Sequence, residues 1–271
     1  MKNNAPVGVF DSGVGGLTVV REIMRQAPEE NLIYFGDTAR VPYGSKSKDT
    51  ILRYVRQIIR FLETKEVKAI VVACNTASSY ALDIIEKEIN IPIIGVVKPG
   101  AQTAANATVN GRIGVIATEA TINSGLYTQY IQSLNPKLKV FGKACPLFVP
   151  LVEEGLLHDF VTEEIASRYL ADLKQKDIDT LILGCTHYPL LRSMLARHMG
   201  VEVQLVNPAY ETALELKRLL KNHDMQAMPE EGEDPVHEFY VSDGAEKFKI
   251  FANSILPYDI KTTHVINIEE Y

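Results

Sequence analysis

Short apolar runs recur along the chain, and each is followed by a polar or glycine-bearing turn and then by apolar residues at helical spacing. The runs at 6–11, 31–36, 69–73, 93–97, 113–117, 137–141, 180–184 and 203–206 have the length and composition of strands buried on both faces. Between them, Ile51, Tyr54, Val55, Ile58, Ile59 and Leu62 mark one helical face, and Leu82, Ile85 and Ile89 another. Strand and helix alternating in this way predict an α/β fold: parallel sheets with crossover helices. The acidic stretch 224–236, with Pro229 and Pro235, reads as an exposed loop. A strand over 238–241 and a helix over 245–255 follow it.

The pattern repeats once. Gly8-Val9-Phe10-Asp11-Ser12 has a counterpart in Gly114-Val115-Ile116-Ala117-Thr118, each an apolar strand ending before a hydroxyl residue. Ala73-Cys74-Asn75-Thr76 is answered by Gly184-Cys185-Thr186-His187, and Pro99 by Pro208. The offsets Gly8 to Gly114, Cys74 to Cys185 and Pro99 to Pro208 are 106, 111 and 109 residues. That period is too long for a solenoid and fits two related α/β halves. The punctuation at Pro99-Gly100 and Asn207-Pro208 divides them. Residues 98–206 form an inserted domain, 1–97 plus 207–264 form the other, and 265–271 remain as a C-terminal tail. A site between the two is expected.

Composition removes several function classes. The chain has 271 residues and a net charge of −6, without a basic cluster, which argues against a nucleic-acid surface. No apolar run has the length of a membrane span, and the N-terminal residues lack the apolar region of a secretory signal. The 3 cysteines, at 74, 145 and 185, make no CxxC pair and no even framework, which points to a reducing, cytoplasmic compartment. Cys185-x-His187 lacks a second pair of ligands, so no metal site emerges, and no P-loop is present.

Cys74 and Cys185 each stand at the carboxyl end of a strand, where open α/β sheets carry their chemistry. A helix start follows each, and its free N–H groups favour a thiolate or a substrate carboxylate. Thr76, Ser78 and Thr186 are the cap candidates. One such cysteine is ordinarily a packing residue, as Cys145 is here. Two in duplicated phrases are read as paired thiols facing one substrate from opposite sides. His187 can share the proton of Cys185 or donate to a ligand, against the plainer reading of a capping imidazole. Asp11, in Asp11-Ser12-Gly13-Val14-Gly15-Gly16, can partner a thiol or an ammonium group. The same glycines fit a dinucleotide fingerprint except at Thr18, with Asp37 as its acidic residue, and they also fit a plain tight turn. Tyr43 and Gly44 form a turn that would present a hydroxyl and a backbone N–H. Glu153 is either an acid–base helper or a solvated carboxylate. A Cys–His hydrolase would leave Cys74 unexplained.

Together, Phe10-Asp11-Ser12-Gly13-Val14-Gly15-Gly16-Leu17, Asp37-Thr38-Ala39-Arg40-Val41-Pro42-Tyr43-Gly44, Ala73-Cys74-Asn75-Thr76-Ala77 and Leu183-Gly184-Cys185-Thr186-His187-Tyr188-Pro189 resemble the glutamate racemases of the cofactor-independent aspartate/glutamate racemase superfamily. The resemblance covers essentially the whole chain. It implies two α/β domains with the site between them, a homodimer, no cofactor, and a role in supplying D-glutamate for peptidoglycan. It further implies that Cys74 handles the proton of D-glutamate, assisted by Asp11, and Cys185 that of L-glutamate, assisted by Glu153 and His187. Asp11, Ser12, Tyr43, Gly44, Asn75, Thr76, Thr118, Thr186 and His187 form the implied substrate-binding set. An aspartate racemase is the nearest alternative. From other classes, a two-lobed amino-acid-binding protein would not need two cysteines, and a nucleotide-dependent oxidoreductase comes third.

Overall fold

The computed structural model describes residues 3–230 and 232–271. Met1 and Lys2 of the N-terminal segment and Glu231 of the acidic loop lie outside the described residues. The strands form two sheets in which every pairing is parallel. The first contains β1 (Val7–Asp11), β2 (Leu32–Gly36), β3 (Ala69–Val72) and β4 (Ile93–Gly95). The second contains β5 (Arg112–Ala117), β6 (Lys139–Ala144), β7 (Thr180–Gly184) and β8 (Gln204–Val206). The chain then returns to the first sheet with β9 (His237–Val241) and β10 (His264–Val265).

The orders are β10-β9-β2-β1-β3-β4 and β6-β5-β7-β8. Each half therefore makes the same move. Its first strand is central, its second goes to one side, and its third and fourth go to the other. Where the crossovers diverge, their loops part and leave a crevice at the strands' carboxyl ends. Register places matching side chains there. One step past the pair Ala117 and Gly184 stand Thr118 and Cys185. Two steps past Phe10 and Val72 stand Ser12 and Cys74. Each thiol thus has a hydroxyl on the neighbouring strand end, which is the physical content of the sequence repeat.

Both sheets are covered on both faces, so their central strands are apolar runs without alternation. In the first, Val7, Val9 and Val71 pack with Leu17, Val20 and Ile23, while Phe10, Ile70 and Val72 pack with Ile58 and Leu62. In the second, Leu181 and Leu183 meet Phe148 and Leu170, and Val115 and Ile182 meet Val97, Ala101 and Tyr127. The helix Lys48–Thr64 buries Ile51, Val55, Ile58, Ile59 and Leu62 as its spacing predicts, and Ser47 caps it by accepting from the Thr50 N–H.

Several boundaries differ from the sequence expectation. The strand expected over 93–97 ends at Gly95, and Val97 already starts the helix Val97–Ala107. Pro99 sits in that helix's first turn, where no backbone donor is required. The strand expected over 137–141 is displaced to Lys139–Ala144. The periodic segment of the 80s is two short helices, Asn75–Tyr80 and Leu82–Ile85, and Ile89 lies beyond both. The tail 265–271 lies against the first sheet: Val265 pairs with Val241, and Ile268 is buried in the core beside Phe61.

Candidate active site

A cavity of about 310 Å³ opens where the carboxyl ends of the two sheets face each other. Ser12, Tyr43, Gly44, Cys74, Asn75 and Thr76 line it from the first sheet's loops, and Thr118, Glu153, Cys185, Thr186 and His187 from the second's. Asp11 is wholly buried beneath the first set, outside the lining. Val41 and Pro42, which the sequence offers only as part of a motif, and Pro146, Val149 and Pro150, which carry no motif at all, add apolar groups to the wall.

Cys74 stands two residues past the end of β3 and is itself the N-cap of the helix Asn75–Tyr80. The Ala77 N–H donates to its Sγ at 3.5 Å. The expected caps Thr76 and Ser78 serve otherwise: the Ser78 hydroxyl donates back to the Val72 carbonyl, and the Thr76 hydroxyl meets Thr118 Oγ1 at 2.9 Å. Asp11 accepts the N–H groups of Gly13 at 3.2 Å and Gly16 at 3.0 Å on one oxygen, leaving Oδ1 buried and without a partner. Burial, with the Asp11 charge beside it, pushes the Cys74 thiol up to about 12, the Ala77 N–H and Ser12 hydroxyl opposing only in part. Burial likewise raises the Asp11 carboxyl, against the pull of His187 and the backbone N–H groups.

The opposite wall has the other polarity. Cys185 Sγ lies 3.8 Å from His187 Nδ1, and His187 Nε2–H donates to Glu153 Oε1 at 3.0 Å. A turn between Cys185 and His187 brings the two together. His187, not Thr186, occupies the cap of the turn Tyr188–Leu191, and Pro189 stands second in it. Burial would neutralise His187, but its hydrogen bonds to Cys185 and Glu153 overcome that and raise it. Burial opposes ionisation of Glu153 too, yet the same imidazole, with help from Lys247, holds it below the usual carboxylate range. An imidazolium kept 3.8 Å from a sulfur is a counter-charge for a thiolate. The two walls therefore differ: a carboxyl group lies beneath Cys74, and an imidazole held by a carboxylate flanks Cys185.

The Tyr43 hydroxyl, expected to face a ligand, donates inward to Asp37. Asp37 also accepts from Arg40 Nε at 2.7 Å and from Ser242 at 2.9 Å, so this carboxylate anchors the turn whose Tyr43 and Gly44 line the cavity. Contacts bridge the two sheets' loops. The Thr18 hydroxyl donates to the Thr186 carbonyl at 3.0 Å, and Thr121 joins Thr76 and Thr118 in a hydroxyl cluster. A Cβ on Gly15 would stand 2.4 Å from Thr186 Oγ1 and 2.5 Å from His187 Nδ1, so only glycine allows this approach. Among the described residues no group of three or more His, Cys, Asp or Glu converges as a metal-ligand set, and no helix is long and apolar enough to cross a membrane.

A fold of two switch-point crevices face to face, with one thiol on each wall, defines a proton-exchanging isomerase in outline. The Asp/Glu/hydantoin racemase family model matches residues 7–213. A glutamate racemase of Geobacter metallireducens is 45% identical over 97% of each chain. A glutamate racemase isoform from Bacillus anthracis superposes with TM-score 0.93 at 39% identity, covering 97% of this chain and 98% of that one. The Francisella tularensis glutamate racemase in complex with D-glutamate superposes with TM-score 0.92 at 39% identity, over 99% and 100%. The chain belongs to the Asp/Glu/hydantoin racemase family, and within it stands with the glutamate racemases.

Proposed function

We propose that the chain interconverts L- and D-glutamate by passing protons between two thiols without a cofactor. The observation that carries this is the opposed polarity of the walls: imidazolium beside Cys185, carboxylate beneath Cys74. Starting from L-glutamate, the Cys185 thiolate removes the α-proton and Cys74 delivers its own proton to the other face. Cys185 is left as thiol and Cys74 as thiolate, the form that accepts D-glutamate. The C–H bond is a far weaker acid than a thiol, so the developing carbanion requires dry, fixed donors. Ser12, Asn75 and Thr76 on one side, Thr118, Thr186 and His187 on the other, and the backbone at Tyr43 and Gly44 are the assigned substrate set. Asp11 holds proton balance at Cys74, and Glu153 keeps His187 charged beside Cys185.

The two lobes of this reading are residues 1–97 with 207–264, and 98–206. A homodimer in the cytoplasm, supplying D-glutamate for peptidoglycan, completes it. Chiral chromatography of purified protein with L-glutamate and no added cofactor tests it. D-Glutamate accumulating to an equal mixture is the expected result; no conversion, or faster conversion of aspartate, would overturn it.

A further inference from the structure

Tyr127, in the helix Leu126–Leu134, touches the neighbours of both thiols at once. Its hydroxyl donates to Asn75 Oδ1 at 2.7 Å, with both residues buried. Its ring lies against the strand end carrying the other thiol, where a Cβ on Gly184 would stand 3.2 Å from Tyr127 Cε2. Asn75 follows Cys74, and Gly184 precedes Cys185. One rigid side chain from the second sheet's layer therefore spans the gap between the two thiol-bearing strand ends.

We propose that Tyr127 is a positioning residue that sets the separation of the two thiols and the orientation of the Asn75 amide; this deepens the racemase function proposed above. An Asn side chain has one acceptor end and one donor end. With Oδ1 engaged by Tyr127, the Nδ2 end remains for the cavity that Asn75 lines, as a donor to a substrate carboxylate. Burial and the nearby Cys185 push the phenol's ionisation up, so it stays a donor throughout the working pH range. Gly184 has a reason on the same ground. The carbonyl of Ile116 would lie 2.9 Å from a Cβ there, and the Tyr127 ring closes the other side. Because Asn75 and Tyr127 come from different sheets' layers, the bond forms only when the two halves are closed on each other.

The test is a double-mutant cycle with Tyr127→Phe, Asn75→Ala and the pair, racemisation being measured from both enantiomers. Tyr127→Phe keeps the ring on Gly184 and removes only the hydroxyl. It should lower kcat/KM by about tenfold in both directions, the scale of one neutral hydrogen bond. In the Asn75→Ala background the same change should cost nothing further. An equal loss in both backgrounds, or no loss in either, overturns the proposal. Hydrogen exchange of the ligand-free proteins supplies a readout without turnover. Tyr127→Phe should loosen 74–77 and 184–187 together, and a change confined to 126–134 counts against a spacer. A wild-type protein that does not racemise glutamate would sink the proposed function alone, with the exchange arm still deciding the role of Tyr127.

Discussion

Changing either thiol to a hydroxyl separates the two proton transfers. Serine keeps the size of cysteine but is a far weaker acid, so Cys74→Ser and Cys185→Ser should each slow racemisation by roughly 10³-fold or more. A glutamate analogue with a good β-leaving group needs only one α-proton removed. Cys74→Ser should retain elimination from its L-isomer, and Cys185→Ser from its D-isomer. If both variants favour the same enantiomer, the facial assignment is wrong. The His187–Glu153 pair makes a pH-dependent prediction at the same scale. His187 is raised above its ordinary 6.5, so its stabilisation is complete below that pH and fades as pH climbs through the raised value. Glu153 is lowered from 4.5, so its share is present above that pH and is lost on acidification. Glu153→Gln should therefore destabilise most between about pH 4.5 and 6.5, by about 1.5 kcal/mol, and less at pH 9. Urea unfolding at pH 5.5 and pH 9 checks this; a deficit that grows with pH contradicts it.

At the scale of elements, the turn between β1 and the helix Leu17–Gln26 works by having no side chain at Gly15. Gly15→Ala would push this turn off Thr186 and His187, and misplacement by about 1 Å costs on the order of 10²-fold in rate. Activity should fall by that amount while the melting temperature moves by only a few degrees; near-normal kcat/KM would show that the approach does not matter. The strand ends bearing chemistry were legible in the sequence because β3 and β7 are apolar runs buried on both sides, each ending in a cysteine phrase. The helix Ala245–Ile255 was legible to the residue. The two-residue strand β10 was not, because so short a segment has no period of its own and is held by β9. The start of the helix Val97–Ala107 was hidden by Pro99-Gly100, which read as a break. The sequence points the Tyr43 hydroxyl to a ligand because nothing in it shows that Asp37 folds back onto that hydroxyl. Tyr127 and Thr121 carry no signal in the sequence for a related reason: what sets them apart is their contacts between the halves.

Taken whole, the molecule has a site that neither sheet completes. Thr18 to Thr186, Thr76 to Thr118 and Tyr127 to Asn75 all cross between the halves around the cavity. Substrate contacts from both sides should hold these together and exclude water. Glutamate of either hand should therefore slow hydrogen exchange at 11–16, 42–45, 75–78, 117–121 and 185–188 as one group. Protection limited to the loops of one sheet would place binding on a single half.

The unlike walls have a kinetic consequence. L- and D-glutamate are mirror images of equal free energy in water, so their equilibrium constant is one. The ratio kcat/KM must then be the same in both directions, and no variant can bias the product. In the proposed mechanism, what the imidazole beside Cys185 and the carboxyl group under Cys74 would govern is the protonation form in which the empty enzyme rests. Each proposed turnover ends in the form opposite to the one that began it. On that mechanism the free protein would carry a memory of the hand it last released, and would erase it by exchanging protons with solvent. At high substrate concentration that erasure, rather than any step on glutamate, would limit the net rate.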